Sequence, residues 1–216
     1  NWQTVSGETQ IFTFASTVPH TNQVLAVFNS VGINGKLFIK LIVYDTVGNI
    51  SDTNIEVISD NIPPEIKNVS STPEYISPNA SIGILDTSTI NYNVSDTPYR
   101  TGRTINVTID IINITDTIVK TYIQTLRIIS DTQGNGVPIY EISGDSPLIW
   151  NGRDKNNNFV IEDIYKIRIK AVDDAGNSTE TTAGRIIIDN SLPVISNITV
   201  TNSVFSPGIS DGMKDT

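Results

Sequence analysis

Hydrophobic and polar residues alternate with a period of two in four stretches of the chain. Leu37, Ile39, Leu41 and Val43 alternate with Phe38, Lys40, Ile42 and Tyr44, and Ile90, Tyr92 and Val94 with Asn91 and Asn93. Ile105, Val107, Ile109 and Ile111 alternate with Thr104, Asn106, Thr108 and Asp110, and Tyr165, Ile167, Ile169 and Ala171 with Lys166, Arg168 and Lys170. Successive side chains of a strand point to opposite faces, so each run predicts a strand with one buried and one wetter face. Turn dipeptides separate the runs: Asn34-Gly35, Gly48-Asn49, Asn135-Gly136, Asn151-Gly152 and Gly176-Asn177. No stretch of ten residues carries a 3.6-residue period. The expected class is all-β, built from antiparallel hairpins. With 35 Ile against 7 Leu and 6 Ala, composition agrees, because β-branched chains suit a pleated surface and Ala and Leu suit helices.

The chain also repeats itself. Residues 62–87 set against 191–216, an offset of 129, match at nine of 26 positions, among them Pro64/Pro193, Ser77/Ser206, Pro78/Pro207, Gly83/Gly212 and Asp86/Asp215. At an offset of 128, Tyr44 to Asn49 answers Val172 to Asn177, whereas Asp60-Asn61 answers Asp189-Asn190 at 129. One residue of loop length is therefore expected to separate the two copies. The repeat places a complete module at 62–190, the later part of a preceding module (or a short β-sandwich) at 1–61, and the start of a third at 191–216. Pro64 and Pro193 fall at the joints. Proline fixes φ and has no N–H to extend a sheet, so short, stiff hinges are expected there.

The run Trp150-Asn151-Gly152-Arg153-Asp154, with Asn156-Asn157-Asn158 and Tyr165 leading through an alternating strand to Gly176-Asn177, resembles the Ig-like domain named after the flagellar hook-capping protein FlgD. Asn151 stands where that pattern has Asp, and Ile164 near its usual Gly. The stretches from Tyr75 to Thr87 and from Phe205 to Thr216 are similar to the Phe-Ser-Pro opening of such bacterial envelope modules. The resemblance implies tandem immunoglobulin-like β-sandwiches joined by proline-containing hinges. It gives structural roles to Trp150, Gly152, Tyr165 and Gly176, as the repeat does to Pro64 and Pro193. Trp150, paired with Leu148 on an inward face, is expected to close the open end of the sandwich.

A net charge of −9 argues against nucleic acid or anionic lipid as partner. No apolar run approaches the ~20 residues of a membrane span. The first residue is not Met, and the chain reads as part of something longer. Without cysteine there are no disulfides and no thiolate chemistry, and the single His20 leaves no imidazole pair. Eight Asn-x-Ser/Thr triplets follow from composition alone. Calcium is the one cofactor the residues raise. Asp154, Asn156 and Asn158 alternate ahead of Glu162, and Asp211 and Asp215 offer further carboxylates. The competing reading, in which these side chains cap their own turns, is preferred, because Phe159 and Tyr165 stand where a calcium hand needs Gly and a bidentate acid.

The expected function is accordingly non-enzymatic: a spacer or assembly segment of a bacterial envelope or surface protein, periplasmic, surface-exposed or secreted. Its partners would be other protein modules or envelope proteins. The alternative is an adhesin or an accessory carbohydrate-binding module of a secreted enzyme, with Trp2, Tyr99, Tyr122 and Tyr140 as candidate exposed aromatics.

Overall fold

The computed structural model describes residues 24, 27, 29–78, 85–97, 101–130 and 138–199. In chain order the strands are β1 (Gly35–Tyr44), β2 (Ile50–Ser59), β3 (Glu65–Thr72), β4 (Tyr75–Ile76), β5 (Ser88–Ser95), β6 (Thr104–Ile112), β7 (Ile118–Ser130), β8 (Ile139–Gly144), β9 (Ile149–Trp150), β10 (Asp163–Asp173) and β11 (Ser178–Ile188). The described residues hold no helix. β1 and β2 form a two-stranded antiparallel sheet. The rest form a six-stranded sheet, β4-β11-β10-β6-β7-β8, and a three-stranded sheet, β3-β5-β9. All pairings are antiparallel except β11 with β4.

The two larger sheets pack together through the predicted alternation. Ile105, Val107, Ile109 and Ile111 of β6 and Tyr165, Ile167, Ile169 and Ala171 of β10 are buried, with Ile186 and Ile188 of β11 beside them. Ile90 and Val94 of β5 and Trp150 of β9 join the same cluster. Each fully buried Ile or Val contributes ~1.5–3 kcal/mol relative to exposure. The opposite face of β6 and β10 is polar, and there Arg168 meets Asp110 at 2.9 Å while the Thr121 hydroxyl donates to the same carboxylate.

Register shifts interrupt four of the pairings, and two of them bear on the core and on the repeat. The β3–β5 register shifts between Lys67 and Ser70, with Asn68 at a φ of 53°, so that Ile66 and Val69, three residues apart, both pack on the core. In the β10–β11 register the partners of Lys166 and Arg168 are Arg185 and Thr182, which leaves one extra residue in β11. This extra residue accounts for the change of offset from 128 to 129. Tyr44↔Ile50 answers Val172↔Ser178, and Gly35↔Ser59 answers Asp163↔Ile188. The residue expected in a loop therefore lies inside a strand, as a β-bulge. Gly184, at the bulge, approaches the other sheet so closely that a Cβ would sit 3.3 Å from the Val69 carbonyl oxygen. The Ser71 hydroxyl donates to the Arg185 carbonyl nearby.

Among the described residues one turn geometry recurs four times, beginning at Asp45, Asn113, Asp154 and Asp173. In each, the first residue's N–H donates to the fifth residue's carbonyl, and the fourth N–H donates back to the first carbonyl. The first side chain accepts the third and fifth amides through Oδ1. The fourth residue, Gly48, Asp116, Asn157 or Gly176, takes a positive φ. An Asx side chain that captures two amides and a residue tolerant of left-handed backbone define this hairpin loop.

Asn151-Gly152, by contrast, is not the expected two-residue hairpin turn. Gly152 has a φ of 66°, and a Cβ there would lie 2.4 Å from Pro78 Cγ. The glycine allows the segment after Trp150 to close against the Ser77-Pro78 segment. Trp150 is fully buried, its indole N–H donates to the Arg153 carbonyl at 2.9 Å, and its ring meets Tyr165 edge-on at 5.1 Å. The Tyr165 hydroxyl donates to the Ile161 carbonyl, and burial pushes its pKa up to about 12. Trp150→Ala should destabilise the chain by roughly 3–5 kcal/mol in denaturant melts, the range for emptying a large aromatic site. A loss below about 1 kcal/mol would place the ring outside the packing.

Candidate functional site

The most heavily built polar cluster among the described residues lies where the β1–β2 hairpin meets the two-sheet body. Asp60 follows β2, Asp96 follows β5, Arg103 precedes β6, and Asp173 ends β10. Asp174 and Asn177 lie in the Asp173 turn. Arg103 is positioned by its backbone: the Gly102 N–H donates to the Ile128 carbonyl and the Ile128 N–H to the Arg103 carbonyl. Its guanidinium reaches Asp60 Oδ2 through Nη1 at 2.5 Å and Asp174 Oδ1 through Nε at 2.7 Å and through Nη2. Nη2 also stands 4.0 Å from Asp96 Oδ2. The Asn177 side-chain amide donates both to Asp173 Oδ2 and, across the joint, to the Asp60 backbone carbonyl at 3.1 Å. The side chains of Asp60 and Asp96 are only 2% and 5% exposed.

Carboxylate oxygens of Asp60, Asp96 and Asp173 lie within 4.8 Å of one another. Burial, then the charges of Asp60 and Asp173, push Asp96 up to about 6, against the Thr97 N–H and the Arg103 charge that favour its ionised form. Burial works to lower the Arg103 pKa, but the hydrogen bonds and charges of Asp174 and Asp60 outweigh it and hold the guanidinium above its ordinary value. The positive charge at the centre of this acidic cluster is supplied by the protein's own arginine.

The exit from the hairpin and the exit from the body share one construction. Asp60 Oδ1 accepts the Ile62 N–H, and Asp189 Oδ1 accepts the Ser191 N–H, both at 3.0 Å. The Asn61 N–H donates to Asn34 Oδ1, and the Asn190 N–H to Glu162 Oε1, side chains 128 positions apart. Asn68 and Asn197, 129 positions apart, share a left-handed φ of 53° and 56°. The two prolines differ: Pro64 is buried and Pro193 is exposed. Asp60 is covered by Arg103, whereas Asp189 is exposed.

Of the residues singled out for calcium, Asp154 is committed to its turn, where Oδ1 accepts the Asn156 and Asn158 amides. The Asn158 amide first, then that of Asn156, hold its pKa below the ordinary carboxylate value. Asn156 takes part through its backbone and Asn158 through both backbone and side chain, and Glu162 accepts the Asn190 N–H and the Ser191 hydroxyl. Asp211, Asp215, Trp2, Tyr99 and His20 lie outside the described residues. Tyr122 is not the exposed aromatic expected: it is buried, with its hydroxyl donating to the Ile149 carbonyl. Tyr140 packs against the core. Sequence reasoning missed Asp60, Asp96 and Arg103 as a set. The available signal was the twin turns at Asp45–Asn49 and Asp173–Asn177, the second of which holds the joint. Comparisons of the chain with protein-family models, curated proteins and solved structures find no match.

Arg103→Gln leaves Asp60 and Asp96 buried without their cation and should cost about 3 kcal/mol, the low end for removing one partner of a buried pair. Lys36→Gln, which breaks an exposed pair with Glu56, should leave the denaturant midpoint unchanged. Asp154→Ala should lower the midpoint equally in calcium and in chelator. Because the native pKa of Asp154 is depressed, its contribution is present above the ordinary carboxylate pKa and is lost as pH falls through the native value. A calcium-dependent difference between Asp154→Ala and wild type would assign the loop to the metal.

Proposed function

We propose that the chain is a non-enzymatic tandem of immunoglobulin-like modules resembling the FlgD type, a spacer and assembly segment of a bacterial envelope or surface protein. The modules run over 62–190, with the later part of one before and the start of another after. The observation that carries this reading is the joint itself. Asp60, at the exit of one hairpin, is held by Arg103 and Asn177 of the following sandwich through side chains rather than through a shared core. The matching exit at Asp189 supports a second joint of the same construction. β1–β2 corresponds in register to β10–β11, the hairpin that closes the body. Leu37, Ile39, Leu41 and Val43 take the places of Tyr165, Ile167, Ile169 and Ala171. Contact with other envelope proteins would fall to loops and edge strands, with β8 the exposed edge of the larger sheet.

Solution scattering together with a glycan array tests the proposal. An elongated profile and no retained glycan are expected. A single compact globule would overturn the tandem, and specific glycan retention would transfer the chain to the carbohydrate-binding class, for which the burial of Tyr122 leaves little aromatic platform.

A further inference from the structure

We propose that the joint between the β1–β2 hairpin and the two-sheet body is a pH-operated latch, in which neutral Asp96 lets Arg103 hold Asp60 and ionised Asp96 works against that hold. The proposal rests on the reading of residues 60–64 as a joint between modules.

The geometry supplies each part. Asp96 lies between the two bodies, with Asp60 facing it from the end of β2, Asp173 from the end of β10, and Arg103 from the start of β6. Asp174, in the β10–β11 turn, competes for the same guanidinium. Among the described residues these are the charged groups around it. When Asp60, Asp96 and Asp174 are all ionised they share one guanidinium, and Arg103 is already bonded to Asp60 and Asp174, leaving Asp96 Oδ2 at 4.0 Å and facing Asp173 as well. Opening the joint withdraws Asp60 from Asp96 and rehydrates the buried carboxyl, so ionisation favours the open form. Protonation removes that repulsion and leaves the Arg103–Asp60 and Asn177–Asp60 contacts in place.

The direction follows by linkage. A carboxyl whose pKa is raised in the closed form stabilises that form at low pH, and the stabilisation disappears as pH rises through the raised value, about 6 for Asp96. If the joint accounts for about one unit of that shift, its closing constant falls about fivefold between pH 5 and pH 8.

The chain has no cysteine, so Thr53→Cys and Thr182→Cys place spin labels on exposed positions of the hairpin and the body alone. Distance distributions between them are recorded at pH 5 and pH 8 in chelator, with Trp150 fluorescence as the check that each variant is folded. The wild type should give a narrow distribution at pH 5 and a broad one at pH 8. Asp96→Asn, permanently neutral, should stay narrow at both, and Arg103→Gln should be broad at both. A wild-type distribution that does not change with pH, while Arg103→Gln broadens, removes the latch and leaves the joint. A narrow distribution for Arg103→Gln at both pH values removes the joint reading as well. Broadening of Asp96→Asn at pH 5 would make Asp96 a fixed structural partner and end the proposal.

Discussion

A guanidinium with little access to water is stable only where carboxylates and carbonyls replace its hydration, and Arg103 is held in such a place by groups from two bodies. Asp60 arrives from the hairpin, and Asp174 from the sandwich. Because these contacts are directional, they specify an orientation at the joint as well as an attraction. A purely apolar contact of the same size would tolerate sliding. A polar contact of this kind fits the proposed tandem, in which one unit would keep a set relation to the next.

The recurring five-residue turn links local chemistry to that joint. Asp45, Asn113, Asp154 and Asp173 each satisfy two backbone amides that a tight loop would otherwise leave to solvent. At Asp173 the same turn does more. Asn177, its fifth residue, extends an amide to the Asp60 carbonyl, and Asp174, its second, takes the arginine. A loop that closes a hairpin is thus also the receiving surface for the preceding unit. The turn at Asp154 carries the same backbone geometry, with its Oδ1 accepting the Asn156 and Asn158 amides.

Much of the fold was legible because period two reports directly on a half-buried strand. β1, β5, β6 and β10 lie where alternation placed them, within a residue or two at each end, but the expected inward face of β1 holds no buried residue and Val43 is exposed. Trp150 was legible as core because it shares an inward face with Leu148. The bulges were not. A run such as Ile66, Asn68, Val69 obscures its phase, since one left-handed Asn moves the next apolar side chain back to the same face. Gly152 read as a turn residue because its actual constraint, Pro78, is distant in sequence. The joint was hidden for the same reason: Asp60 and Arg103 are 43 residues apart and Asp60 and Asn177 are 117 apart, with no periodicity between them.

The two exits differ in a way that bears on how such a chain stiffens. Both fold their Asp onto the amide two residues later, and both place the following Asn N–H on a side chain near the start of the paired hairpin. The exit geometry is therefore set by its own unit before any neighbour engages it. At Asp60 a receiving cluster then buries the carboxylate, while at Asp189 the carboxylate is exposed. A preformed exit loses little conformational entropy on docking, so a few charge-assisted contacts are sufficient to hold it. Among the described residues the hydrogen bonds and ion pair that hold Asp60 to the body are polar, and a joint held in this way is the kind that the charge of Asp96 can influence. On the proposed reading, stiffness at this joint depends on the electrostatics of a few side chains, and the core between the two larger sheets, which contains none of them, can remain unchanged as it varies.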